Sequence, residues 1–156
     1  MTPMHLAQLN IAQPRFPLDD PRMADFVGNL DRVNAVAERS PGFVWRLVGE
    51  GDDATDLRIG DDPDAIVNMS VWATPEHLEH FVWNTVHKRI YHRKGEWFAA
   101  SGKPYFVMWP VAVGHRPDLA EAAERLDHYT RHGGSDHAFG WEGLPHLTRW
   151  MQERCA

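Results

Sequence analysis

The stretch AIVNMSVWATPEHLEHFVWNTVHKRIYHR, residues 65–93, contains a strand and a helix separated by one residue. Residues 65–73 are rich in β-branched side chains and predict a strand. Thr74-Pro75 then starts a helix, with a hydroxyl at the capping position and proline where no backbone N–H is needed. That helix is expected to run from Pro75 to about Arg93, with a possible break near Asn84. Leu78, Phe81, Val82, Val86 and Ile90 form one apolar stripe, which should pack on a sheet. His80, Trp83, His87 and Tyr91 follow at spacings of three or four and form a second stripe, where an ordinary surface helix carries charges. Lys88, Arg89, Arg93 and Lys94 fall mainly between the two, so this helix is expected to serve two apolar environments.

Working outward, residues 4–11 read as a first strand closed by Pro14 and Pro17. Residues 20–39 carry Met23, Phe26, Val27, Leu30, Val33, Asn34 and Ala37 on one helical face, with Asp20 as N-cap and Pro21 at the first helical position. Ser40-Pro41-Gly42 ends that helix and residues 43–48 make a second strand. Downstream, residues 103–113 predict a fourth strand, with Pro110 marking an edge or bulge. Residues 118–132 predict a further helix, opened by Pro117 and stopped by Gly133-Gly134, and a short terminal helix is expected around residues 147–154. The order β-α-β-β-α-β is that of a ferredoxin-like α+β unit, with both helices on one face of an antiparallel sheet. We expect a single domain over residues 1–156, comprising a core over 1–116 and a helical extension over 117–156. The sheet's other face must be covered. A homodimer joined through that face is the expected solution, with Trp45, Trp72 and Trp109 in or near the interface.

The chain has 156 residues and a formal charge of -6. Seven acids between Glu50 and Asp64, against the single base Arg58, account for the whole excess. Without a basic face, nucleic-acid binding is not expected. The sole cysteine, Cys155, excludes an intrachain disulfide or a cysteine-rich zinc site. Neither a long apolar run nor the basic start of a secretory signal is present, so a soluble cytoplasmic protein with no membrane partner is expected. Seven Trp and ten His raise the expectation of a lined pocket.

Within that pocket, His87 is the candidate general base or acid, and Glu96 could orient its imidazole. Trp83, Tyr91 and Trp97 are candidate walls, and Asn10 and Asn68 candidate polar anchors for a substrate. The competing reading makes Trp83 and Tyr91 core residues beneath the carboxy-terminal extension and His87 a structural histidine. His115 and His137 are loop residues expected to be able to reach the same cavity. His77 with His80, and His128 with His132, have metal-ligand spacing but lack a third ligand in a recognised motif, so no metal is expected. The acidic window lacks the spacing of a calcium loop. There is no nucleophile elbow, phosphate loop or dinucleotide fingerprint.

Several blocks taken in order resemble domain-of-unknown-function family 3291. They are Ser70-Val71-Trp72, Pro75-Glu76-x-Leu78, Phe81-Val82, Val86-His87, Glu96-Trp97-Phe98, Pro104-Tyr105, Gly114-His115-Arg116-Pro117 and His137-Ala138-Phe139. The resemblance implies a dimeric α/β-barrel of ferredoxin-like subunits, the superfamily of antibiotic-biosynthesis and haem-degrading monooxygenases. Carried over without gaps, the haem-degrading pattern places Phe81 and Tyr91 where a Trp and a haem-ligating His belong. His92 is then one residue out of place and Trp83 two, with Gln8 or Asn10 standing for a first-strand Asn. One residue turns a helical side chain by about 100°, so that chemistry is not supported as written. The cofactor-independent relatives ask only for an enclosed aromatic pocket, a base and polar orienting groups. The leading expectation is therefore a monooxygenase-like enzyme without cofactor, acting on an apolar or aromatic small molecule between helix and sheet. A non-catalytic ligand-binding or dimer-forming protein is the alternative, and a haem-binding protein using His87 or His92 comes third.

Overall fold

The computed structural model describes residues 4–47, 66–84, 88, 92–98 and 106–141. Expectations for the acidic window, for Val86, His87, Ile90 and Tyr91, for the terminal helix and for Cys155 lie outside these residues. The elements are β1 (Met4–Ala12), a 3-10 turn (Pro21–Met23), α1 (Ala24–Arg39), β2 (Phe43–Arg46), β3 (Ile66–Trp72), α2 (Pro75–Asn84), α3 (Lys94–Trp97), β4 (Phe106–Ala112) and α4 (Leu119–His132).

Local chemistry sets the helix limits. Asp20 accepts a hydrogen bond from the Arg22 backbone N–H at 2.8 Å and caps the turn that leads into α1. Gly42, at φ 82°, turns the chain into β2. The Thr74 hydroxyl accepts from the His77 backbone N–H at 3.2 Å and starts α2. Asp118 accepts from the Glu121 N–H at 2.8 Å, and Gly133, at φ 77°, ends α4. Each side chain or glycine satisfies or redirects backbone groups that a helix end leaves open.

The four strands lie in the order β2-β3-β1-β4, every neighbouring pair antiparallel, which is the ferredoxin-like arrangement. Because side chains alternate across a strand, β1 sends Leu6, Gln8 and Asn10 to one face and Ala7, Leu9 and Ile11 to the other. Asn68, Ser70 and Trp72 on β3 share the first face. This side packs against the α1 and α2 side chains: Leu6, Trp72 and Met108 cluster with Ala37, Leu78, Phe81, Val82 and Trp83. The stripe read from α1 is buried at Met23, Phe26 and Ala37, but Val27 is exposed. A smaller cluster joins Met23, Phe26, Ile66 and Trp97.

The second sheet face is covered within the chain. Ala7, Leu9, Val67, Met69, Val71, Val107, Trp109 and Val111 are buried there with Ala122 of α4, while Leu119, Leu126 and Tyr129 pack alongside. The extension therefore covers the face that the sequence reading left for a second subunit. Trp72 is not on that face: it stacks on Phe81 at 5.2 Å and meets Phe43 edge-on at 5.5 Å, beneath the helices. Trp109 is on it but is fully buried within the chain, donating to Glu121 of α4 at 2.8 Å. Trp45 is half-buried against the same cluster. No helix among the described residues is long and apolar enough to cross a membrane.

Candidate functional site

Two aligned rows of polar residues interrupt the helix-facing side of the sheet. Gln8 lies opposite Ser70 and Asn10 opposite Asn68 in the β1–β3 register. The Gln8 amide Nε2 donates to Asn68 Oδ1 and to Ser70 Oγ, both at 2.8 Å. The Trp72 indole N–H also donates to Ser70 Oγ, at 2.9 Å. These bonds make a continuous chain, Trp72–Ser70–Gln8–Asn68, that passes from the packed core outward. Trp72 is 1% exposed, Gln8 5% and Ser70 8%, whereas Asn68 is exposed.

Asn68 is the only exposed residue of β3, an interior strand with pairing partners on both sides. On the β2 side the register ends at Arg46, opposite Ser70, so among the described residues Asn68 lies opposite Asn10 of β1 alone, exposed at the outer end of the polar row. Apolar side chains flank it. Ile66, two residues before Asn68 on the same face, belongs to the Trp97 cluster, and Trp72, four residues after, belongs to the Trp83 cluster. Phe106 lies opposite Asn10, and Trp141 stacks on it at 5.4 Å with the rings nearly parallel. The arrangement is a polar strip between two aromatic-rich clusters, suited to a flat apolar molecule carrying one or more oxygens. Arg46, opposite Ser70 on β2, is held by Glu38 at 2.8 Å.

The structure divides the residues singled out from the sequence. It brings Asn10 and Asn68 together and places Trp83, 2% exposed, in the adjoining cluster as a packed residue. Trp97 is likewise packed, 1% exposed, against Phe26 at 5.7 Å. His87 and Tyr91 lie outside the described residues.

Glu96 is exposed, and both its carboxylate oxygens accept from Arg93, at 2.9 and 3.1 Å; Arg93 also reaches Asp25 at 3.0 Å. The hydrogen bonds from Arg93 hold the Glu96 carboxyl below its ordinary range. Among the described residues its partners are the Arg93 guanidinium atoms; His87, the imidazole the sequence suggested for it, lies outside them.

The Nε2 of His115 lies 2.6 Å from Glu121, the residue that accepts from Trp109, so it stands on the α4 side of the sheet, away from the Asn10–Asn68 row. His137 also contacts α4, through Glu124 at 2.8 Å. His128 and His132 adjoin, 4.8 Å between ring centres, but no group of three or more His, Cys, Asp or Glu among the described residues is arranged to hold a metal. His77 bonds Thr74 at 2.8 Å, and His80 and His92 are exposed.

The sequence reading missed Ser70 and Trp72 as members of the polar strip and used Gln8 only as a stand-in for Asn. The signal was present: polar residues two apart on one strand and two apart on another are out of place on a buried sheet face.

Fold and candidate site together define an α+β ferredoxin-like protein with a hydrogen-bonded polar row on the helix-facing side of its sheet and an extra helix behind the sheet. The chain belongs to the family described as Domain of unknown function (DUF3291), whose model matches residues 5–155. No curated protein matches it. Among solved structures it is similar to SnoaB, a cofactor-independent oxygenase from Streptomyces nogalater, with 16% identity, a TM-score of 0.47, and coverage of 74% of this chain and 96% of that one. It is also similar to NE2512, a protein of unknown function from Nitrosomonas europaea, at 9% identity and a TM-score of 0.46, covering 75% and 96% of the respective chains.

Proposed function

We propose that the chain is a small-molecule enzyme, monooxygenase-like and independent of a bound cofactor, that acts on an apolar or aromatic metabolite in the cleft floored by Asn10 and Asn68. The observation that carries this reading is the exposure of Asn68 at the outer end of a buried hydrogen-bond chain on the helix-facing side of the sheet. A buried polar network costs stability relative to apolar packing unless every member is satisfied. Its retention beneath two helices is explained by a ligand that uses its outer end.

The chemistry assigned to the cleft begins with loss of a proton from an acidic C–H of the bound molecule. His87 is the residue we assign to take it. The resulting carbanion gives one electron to dioxygen, and the two radicals combine as a peroxide at that carbon. Loss of water then breaks the O–O bond and leaves a carbonyl, so a CH2 group and dioxygen become C=O and one water. The carboxamides of Asn68 and Asn10 orient the substrate oxygen and stabilise the charge that develops on it. The aromatic clusters hold the ring and keep bulk water from the reactive carbon. A sheet-to-sheet homodimer would require α4 to leave the second face, so this reading assigns the site to one chain.

Oxygen uptake with easily ionised, fused-ring aromatics tests the proposal. Uptake above the buffer rate, lowered roughly 100-fold in kcat/KM by Asn68→Leu, supports it. Equal uptake by the two proteins would overturn it. A non-catalytic binding module is the second reading, favoured by the neutral character of Gln8, Asn10, Asn68 and Ser70, which bind oxygen groups but do not exchange protons at neutral pH. Probe binding without uptake selects it.

A further inference from the structure

The hydrogen-bond chain on the helix-facing side of the sheet has a direction. At its inner end the Trp72 indole N–H can donate but not accept, so Ser70 Oγ is the acceptor at 2.9 Å. The Gln8 amide nitrogen has two hydrogens and uses both, one toward Ser70 Oγ and one toward Asn68 Oδ1, each at 2.8 Å. This leaves Asn68 with one orientation. Its oxygen is turned inward to the almost wholly buried Gln8, and its NH2 group is turned the other way, where no described residue accepts from it. Asn68 is itself exposed and lies opposite Asn10 in the register.

Turning both amides end for end would keep the contacts and reverse the arrow, with Ser70 and Asn68 both donating to the Gln8 oxygen. That reversal takes both Gln8 hydrogens from the acceptors they have here, and a buried N–H without an acceptor is unfavourable. The observed direction also changes what Asn68 can do. A donor on an amide oxygen draws electron density from the nitrogen, so the bond from Gln8 strengthens the outward N–H of Asn68. Such a group holds a carbonyl oxygen, and holds it more tightly as negative charge grows there. It is mismatched against a partner that offers only another N–H.

We propose that Gln8 is a positioning residue that keeps the Asn68 amide nitrogen outward, so that the site selects flat molecules by an acceptor oxygen, a carbonyl or its enolate, and rejects molecules whose polar edge is only a donor. The selection deepens the function proposed above and rests on it for the presence of a ligand; the orientation of Asn68 is read without one.

Two measurements on the full chain separate these parts. In the free protein, NMR should find a scalar coupling across the hydrogen bond from the Gln8 side-chain nitrogen to the Asn68 carboxamide carbon. A coupling from the Asn68 nitrogen to the Gln8 carboxamide carbon would overturn the proposal. Fluorenone, with a carbonyl oxygen, and carbazole, with an N–H, are neutral flat three-ring molecules of nearly one shape, and their affinities are compared at neutral pH. The natural sequence should prefer fluorenone by about tenfold, the worth of one well-made hydrogen bond. Gln8→Met frees the Asn68 amide to turn, so both probes should bind with affinities within about twofold of each other. Asn68→Asp presents an oxygen outward and should reverse the preference. Because each preference is a ratio within one protein, a loss of stability common to both probes does not produce it. Equal affinities in the natural sequence, or a tenfold preference for fluorenone kept in Gln8→Met, would overturn the proposal and leave the site in place. Binding of neither probe, with the coupling running from Gln8 to Asn68, supports the orientation and removes the site reading.

Discussion

Ser70 receives hydrogen bonds from both Gln8 and Trp72, and its removal should be felt at once. In Ser70→Ala the Trp72 indole N–H, almost wholly buried, loses its acceptor, with an expected cost of about 1–3 kcal/mol in urea unfolding. Asn68→Leu removes one of the two acceptors of the buried Gln8 amide and should cost about 1 kcal/mol in urea unfolding, so its effect on ligand is read on protein shown to be folded. Gly42→Ala should cost more than about 1 kcal/mol, because φ is 82° and the new methyl carbon would lie 2.1 Å from His77 Cγ. Asp20 gives a pH prediction of definite sign. The hydrogen bonds from Arg22, side chain first and then backbone, hold its carboxyl at about 2 against an ordinary 3.8. Its contribution to folding is therefore complete above the ordinary carboxylate range and is lost as pH falls toward 2. An NMR titration should find that midpoint near 2, moving up toward the ordinary value in Arg22→Ala.

At the scale of elements, helix ends were the most legible feature of the sequence. Asp20, Thr74 and Gly133 act through their own backbone neighbours, so no tertiary knowledge was needed to read them, whereas Pro117 was read as opening the helix that Asp118 caps. Which face a strand residue takes was harder. Trp72 and Trp109 both looked like interface aromatics, yet Trp72 is in phase with Asn68 and Ser70, and Trp109 with Val107 and Val111. The destination of α4 was not legible at all, since an amphipathic helix records that it has a partner and not which surface that partner is. Ala122 is the point where α4 comes against the sheet cluster and is fully buried. Ala122→Leu should lift the helix, costing about 1–3 kcal/mol in urea unfolding. It should also expose enough of the sheet face to increase dye binding and self-association by light scattering.

For the whole molecule, the ferredoxin-like order was readable because the period of the apolar pattern changes from strand to helix at marked positions. The requirement that the second sheet face be covered was also readable. That the carboxy-terminal helix lies on this face was not, because an apolar face records only that it is covered. Of the candidate site, the sequence offered Asn10 and Asn68 as polar residues on strands, while the chain of bonds behind them depends on the register between β1 and β3, which one strand alone does not specify. His115 and His137 show the opposite limit, since loop residues near a motif in sequence stand across the sheet from it in space. The central claim is that the Asn68 end of this hydrogen-bond chain receives a ligand. Titrating a panel of neutral fused-ring phenols and ketones while following the side-chain amide signals of Asn68 and Gln8 and the Trp72 indole N–H by NMR tests it most directly. The account predicts saturable shifts of all three, the Trp72 signal moving although it is buried away from the opening, and loss of saturation in Asn68→Leu. Shifts confined to other surfaces, or identical binding by Asn68→Leu, would contradict it.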